Sequence, residues 1–96
     1  MGVRPRSRPT HLAAKLLAIR QYLRLSQSEM NSRLGFDLSP ARISEYEHGN
    51  REPNLLTLFR YAQIIRVHME KLVDDSIDVD QFHFELEEKL KLRSRK

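Results

Sequence analysis

The 96-residue chain predicts an all-α domain of short helices, and three observations carry that reading. Leu12, Leu16, Ile19 and Leu23 recur at i, i+4, i+7 and i+11, one stripe of an amphipathic helix. Helix start and stop residues punctuate the chain beyond that stripe: Ser26 with Glu29, Gly35, Ser39-Pro40, Gly49 and Pro53-Asn54. Between Thr10 and Asp75 no stretch alternates like a strand. Three segments result: a flexible arm at 1–9, a helical domain at 10–75, and a C-terminal extension at 76–96.

Met1 to Pro9 is mostly Arg, Pro and Ser with almost nothing to bury, so it reads as an arm. The first helix starts near Thr10. Ser26-Gln27-Ser28-Glu29 is a capping box opening a second, short helix in which Met30 and Leu34 face inward. Gly35 ends that helix as the left-handed residue past its last turn. Phe36-Asp37-Leu38 connects to Ser39-Pro40, an N-cap followed by Pro at the first helical position. A third helix then runs from Pro40 to Glu47 and stops at His48-Gly49-Asn50. The fourth begins at Pro53-Asn54, with Leu55, Leu58, Phe59 and Ala62 expected inward. The fifth spans about His68 to Val73 and carries Met69, Leu72 and Val73.

The extension has two periodicities. Phe82, Leu86 and Leu90 lie at helical spacing, with Glu85→Lys89 and Glu87→Lys91 in the favourable order. Phe82, Phe84 and Leu86 also alternate like a strand. The longer pattern favours a helix, and the segment is a candidate dimer element.

Composition narrows the function classes. Hydrophobic residues at 40% are too many for wholesale disorder. Cys is absent, which excludes disulfide scaffolds, thiolate metal sites and cysteine nucleophiles. The first apolar stretch carries Lys15 and is followed by Arg20, so neither a secretory leader nor a membrane span is expected, and a cytoplasmic setting is. Net charge is +4, unevenly spread. Residues 1–51 hold nine basic side chains against four acidic ones; residues 70–88 hold eight acids against Lys71; the last eight residues add five bases. A basic N-terminal half suits a polyanion, because neutralised phosphates release counterions. The acidic stretch from Asp74 to Glu88 has an alternative use, folding back on that basic surface.

Two charges sit on apolar stripes. Arg20 follows Leu16 by four residues and Glu47 follows Ile43 by four, so each points partly inward, where charge is tolerated only when paired. Arg20 with Glu47 is the expected ion pair, tying the first helix to the end of the third.

The ordered set Arg20, Leu25-Ser26-Gln27-Ser28-Glu29-Met30, Leu34-Gly35, Ile43-Ser44-Glu45-Tyr46-Glu47-His48-Gly49 and Arg51-Glu52-Pro53 resembles the Cro and lambda-repressor helix-turn-helix family, the Xre-type regulators. The likeness covers about Leu12 to Asp75. It implies a five-helix, lambda-repressor-like DNA-binding domain whose third helix enters the major groove, a groove wide enough for a helix. Carried over by position, Gln27 would touch a phosphate. Ser39, Pro40, Ala41, Arg42, Ser44 and Glu45 would face DNA, and His48, Asn50 and Arg51 would meet the backbone beyond. Arg20 and Glu47 fall on the family's structural ion pair.

This chain also departs from the family. Ile43 lies eight residues after Gly35 where the family has six, so two extra residues occupy the turn. Asn31 stands where Ala is preferred, and its amide is expected to hydrogen-bond the lengthened turn. Arg66 replaces a helix-ending Gly, so that corner is expected to be built differently. Pro40 and Ala41 lack side-chain donors, which leaves readout to few groups. Arg42 can serve guanine or a phosphate. Glu45 can accept from cytosine N4 or repel phosphates, and Ala41 can pack on a thymine methyl.

Arg4, Arg6 and Arg8 form a candidate groove-following arm. His11, His48, His68 and His83 share no ligand spacing, and no phosphate loop or nucleophile elbow occurs, so neither a metal, a cofactor nor catalysis is expected. The expected partner is double-stranded DNA, bound by a homodimeric repressor that occupies its operator. The competing class is an antitoxin-like or scaffold module that binds a protein and has weak DNA affinity.

Overall fold

A computed structural model describes residues 9–36 and 38–94, and these form α-helices without strands. The helices are α1 (Leu12–Leu23), α2 (Gln27–Leu34), α3 (Pro40–Glu47), α4 (Leu55–Ile65), α5 (Glu70–Val73) and α6 (Val79–Ser94). Arg4, Arg6 and Arg8 lie outside the described residues.

Local chemistry sets each boundary. Ser26 accepts from the Glu29 N–H while Glu29 accepts from the Ser26 N–H, the reciprocal capping box. The Ser39 hydroxyl accepts from the Arg42 N–H at 3.2 Å, and the Asn54 carbonyl oxygen accepts from the Thr57 N–H at 2.9 Å. α1 has no side-chain cap of its own at His11. Its cap is supplied from across the molecule. The Asp75 carboxylate accepts from the N–H of Thr10 at 2.8 Å and of His11 at 3.2 Å. An anion at a helix N-terminus satisfies orphan donors and opposes the macrodipole.

At the C-termini, α1, α3 and α4 each end in the paired bonds of a Schellman motif. Gly49 occupies the left-handed position after α3, at φ +76°. Arg24 and Arg66 occupy it after α1 and α4, each at φ +58°. The corner at Arg66 is therefore of the ordinary kind. The difference is an L-residue held where Cβ crowds the backbone.

α1 is the hub: α3, α4, α5 and α6 all pack against it, and α2 packs on α3 and α4. Leu12, Leu16 and Ile19 meet Met30, Leu34, Ile43, Tyr46, Leu58, Tyr61, Ala62, Ile65 and Leu72 in one core. That core also contains Phe82 and Leu86 of α6. The helical reading of the extension holds because Phe82 and Leu86, one turn apart, share the inner face. Phe84 is 61% exposed, which an alternating strand would have placed beside them.

On α4 the buried stripe is Thr57, Leu58, Tyr61, Ala62 and Ile65. Leu55 and Phe59, expected inward, are 66% and 49% exposed. Most positions of LLTLFRYAQII are apolar, so more than one stripe satisfies helical spacing, and packing against α1 and α2 selects one. Val73, also expected inward, is exposed, and Met69 is half-buried.

A buried cation joins α1 to the C-terminal elements. Lys15 is fully buried, and its Nζ donates to the carbonyls of Lys71 at 2.8 Å and Asp74 at 2.9 Å. The ammonium thus closes the C-terminal end of α5, and it lies 5.8 Å from the Phe82 ring centroid. Burial pulls the Lys15 pKa below its ordinary value, opposed by Asp75 and Asp74.

Three carboxylates of the acidic segment have partners close by or at the start of α1. Asp74 binds Ser76, Asp75 caps α1, and Glu85 accepts from Lys71 and Gln81.

Candidate nucleic-acid interface

α2 and α3 form the helical pair of interest, joined by a five-residue turn from Gly35 to Ser39, of which Asp37 lies outside the described residues. Gly35 takes φ +76°, and its N–H closes α2 on the Asn31 carbonyl. Arg60 reaches across from α4 and donates to the carbonyls of Arg33 at 3.1 Å and Leu34 at 3.3 Å. The end of α2 is thereby held by a residue that no local pattern identifies. The bond expected from the Asn31 amide to the turn is not made through its oxygen. Among the described residues Asn31 Oδ1 is buried without a hydrogen-bond partner.

Ile43, Tyr46 and Glu47 anchor α3 inward. The opposite face is open: Ser39, Pro40 and Ala41 are exposed, while Arg42, Ser44 and Glu45 are half-exposed. His48, Asn50 and Arg51 follow in the exposed turn after the helix. Nine residues taken from sequence are thus exposed or half-exposed on α3 and in the turn after it.

The register of α3 depends on the ion pair beneath it. Arg20 donates from Nε to Glu47 Oε2 at 2.7 Å and from an Nη to Oε1 at 2.9 Å, a two-pronged contact. A third donor of Arg20 reaches the Leu25 carbonyl at 3.0 Å. Glu47 is 3% exposed at its side chain, and it also accepts from Gln27 Nε2 at 3.2 Å. Gln27 is therefore half-buried against the ion pair, at the first residue of α2. Hydrogen bonding to Glu47 raises the Arg20 pKa above its ordinary value.

On the outer face, Glu45 Oε1 lies 3.2 Å from Arg42 Nε and accepts from Arg51 Nε at 3.1 Å. His48 Nδ1 stands 2.8 Å from the Ser44 carbonyl and 3.2 Å from the Ser44 hydroxyl, which ties the ring back to the last turn of α3. The Arg42–Glu45 spacing of three was legible in the sequence. The Arg51–Glu45 contact was not, because it crosses the left-handed turn at Gly49, where helical spacing no longer applies.

A family model described as helix-turn-helix matches residues 16–72. The chain belongs to the Cro and lambda-repressor-like helix-turn-helix family. No curated protein and no solved structure gives a significant match. The matched span begins within α1 and ends within α5, so it contains the whole helical pair and most of the core beneath it, but not Leu12, Phe82 or Leu86. Membership makes this helix-turn-helix protein a DNA-binding transcription regulator in the general sense. Among the described residues no helix is long and apolar enough to cross a membrane.

Proposed function

We propose that this protein is a repressor that binds a specific sequence in double-stranded DNA and acts by occupying its operator. The observation that carries the reading is the open outer face of α3, held outward by Ile43, Tyr46 and the Arg20–Glu47 pair. In this reading α3 lies in the major groove with Ser39, Pro40, Ala41, Arg42, Ser44 and Glu45 toward the bases. Arg42 is the principal donor, to guanine or to a phosphate. Ala41 packs on a thymine methyl.

Gln27 at the start of α2 contacts a phosphate, aided by the helix N-terminus, while its amide stays near Glu47. His48, Asn50 and Arg51 meet the backbone beyond α3, with Arg4, Arg6 and Arg8 following a groove. The protein acts in the cytoplasm on the nucleoid, as a homodimer reading half-sites about 34 Å apart or a multiple of that. The 76–96 segment is the proposed dimer element.

Selection of bound fragments from random duplexes tests this. A palindromic consensus is expected, with log K falling steeply against log salt. Arg42→Ala is expected either to relax one base pair or to weaken all sites equally, and that pattern assigns the arginine to a base or to a phosphate. Weak binding indifferent to sequence would transfer the protein to the antitoxin-like class, whose partner is a protein.

A further inference from the structure

Glu45 is acidic on a face assigned to a polyanion, and its carboxylate does not stand alone. One oxygen, Oε1, accepts from Arg51 Nε at 3.1 Å and lies within ion-pair distance of Arg42 Nε, at 3.2 Å. Arg42 is on the first turn of α3, Glu45 on the second, and Arg51 lies beyond the Gly49 turn. The backbone places the three together independently of that contact. The Glu45 carbonyl accepts from the N–H groups of Asn50 at 2.9 Å and Arg51 at 3.3 Å, so the chain returns alongside residue 45.

A guanidinium has two useful edges. When a carboxylate takes the Nε side, the terminal Nη pair is left, in the fork geometry that matches guanine O6 and N7. The shared carboxylate also cancels part of the charge that two free arginines would offer any phosphate. We infer that Glu45 is a positioning residue that holds Arg42 as a guanine reader, with Arg51 as the second strut, and that it does not itself read a base. The inference rests on the DNA-binding reading above and selects between the two uses left open for Arg42. It predicts that Glu45 lowers affinity for arbitrary DNA while raising discrimination.

The test compares wild type, Glu45→Ala, Glu45→Gln, Arg42→Ala and the double variant Arg42→Ala/Glu45→Ala on the selected duplex, its single-base-pair variants and random duplex. The side chain of Glu45 is 43% exposed, so folding should persist, and thermal melting checks it. Glu45→Ala is expected to bind random duplex more tightly, with a salt slope steeper by about 1. Its preference for the selected duplex should fall by about tenfold. That loss should fall at the base pair which Arg42→Ala relaxes, and the double variant should discriminate no worse than Arg42→Ala. Glu45→Gln, which keeps a neutral acceptor, should lie between. In the free protein, the Arg51 Nε–H resonance should lose its exchange protection in Glu45→Ala.

Discrimination unchanged in Glu45→Ala overturns the inference, as does loss at a different base pair, which would make Glu45 a reader. Uniform weakening by Arg42→Ala overturns it too. If wild type itself selects no sequence, the DNA-binding reading fails, and this inference falls with it.

Discussion

Arg20 and Glu47 illustrate how single residues set the geometry of the interface. Glu47 is nearly inaccessible and is held by three side-chain donors, two from Arg20 and one from Gln27. Removing Arg20 would leave a buried carboxylate with the Gln27 amide as its remaining donor among those three. Arg20→Ala is therefore expected to cost about 3–5 kcal/mol in denaturant unfolding, and a change below about 1 would show the pair to be solvated. Asn31 marks where spacing stops being informative about a single residue. A bond from its amide to the turn is the natural expectation, yet the structure leaves Oδ1 buried and unpartnered among the described residues, as it does the Tyr61 hydroxyl. Whether a buried polar atom finds a partner depends on how the helices pack, which spacing along the chain does not give.

At the scale of elements, caps were the most legible feature, because they depend on neighbours within four residues. Ser26, Ser39, Asn54, Gly35 and Gly49 all occupy the terminal positions their chemistry favours. Boundaries without such residues were less legible: α1 begins on a carboxylate 64 residues away, and α4 ends on Arg66 in a conformation usual for glycine. α6 packs through Phe82 and Leu86 onto the core that α1 organises. Phe82 is 2% exposed and lies near the buried Lys15 ammonium. Phe82→Ala is expected to destabilise the fold by about 3–5 kcal/mol through the cavity it leaves. Thermal unfolding followed by circular dichroism measures it, and an unchanged midpoint would detach α6 from the core.

For the whole molecule, charge distribution governs the response to pH. Hydrogen bonds hold the carboxyls of Asp74, Asp75, Glu29 and Glu85 below their ordinary values: from Ser76, from Thr10 and His11, from Ser26, and from Lys71 and Gln81. For each group the folded pKa lies below the unfolded one, so the unfolded chain binds more protons in acid. The stabilisation is present above the ordinary values of 3.8 for Asp and 4.5 for Glu, and is lost as pH falls through the lowered ones. Stability measured by urea unfolding should therefore decline below about pH 4.5. In Asp75→Asn the decline should be shallower, since the α1 cap then no longer titrates; an identical slope would remove Asp75 from the balance. Lys15 acts in the opposite range. Its lowered pKa makes the folded state lose its proton first, so its burial cost eases as pH rises toward 10.5.

The sequence by itself determined the helix order, the caps at Ser26, Ser39, Asn54, Gly35 and Gly49, the inward stripe of α1, the outward residues of α3 and the family to which the chain belongs. Those features follow from spacing and from residues that act on their near neighbours. Tertiary structure alone decided which apolar stripe α4 buries, and that Lys15 and Asp75 lock α1 to the chain's acidic stretch. It also decided that one oxygen of Glu45 lies between Arg42 and Arg51. Each of these depends on groups far apart in the chain, or across a left-handed turn, that meet only when separate helices pack and remove water between them.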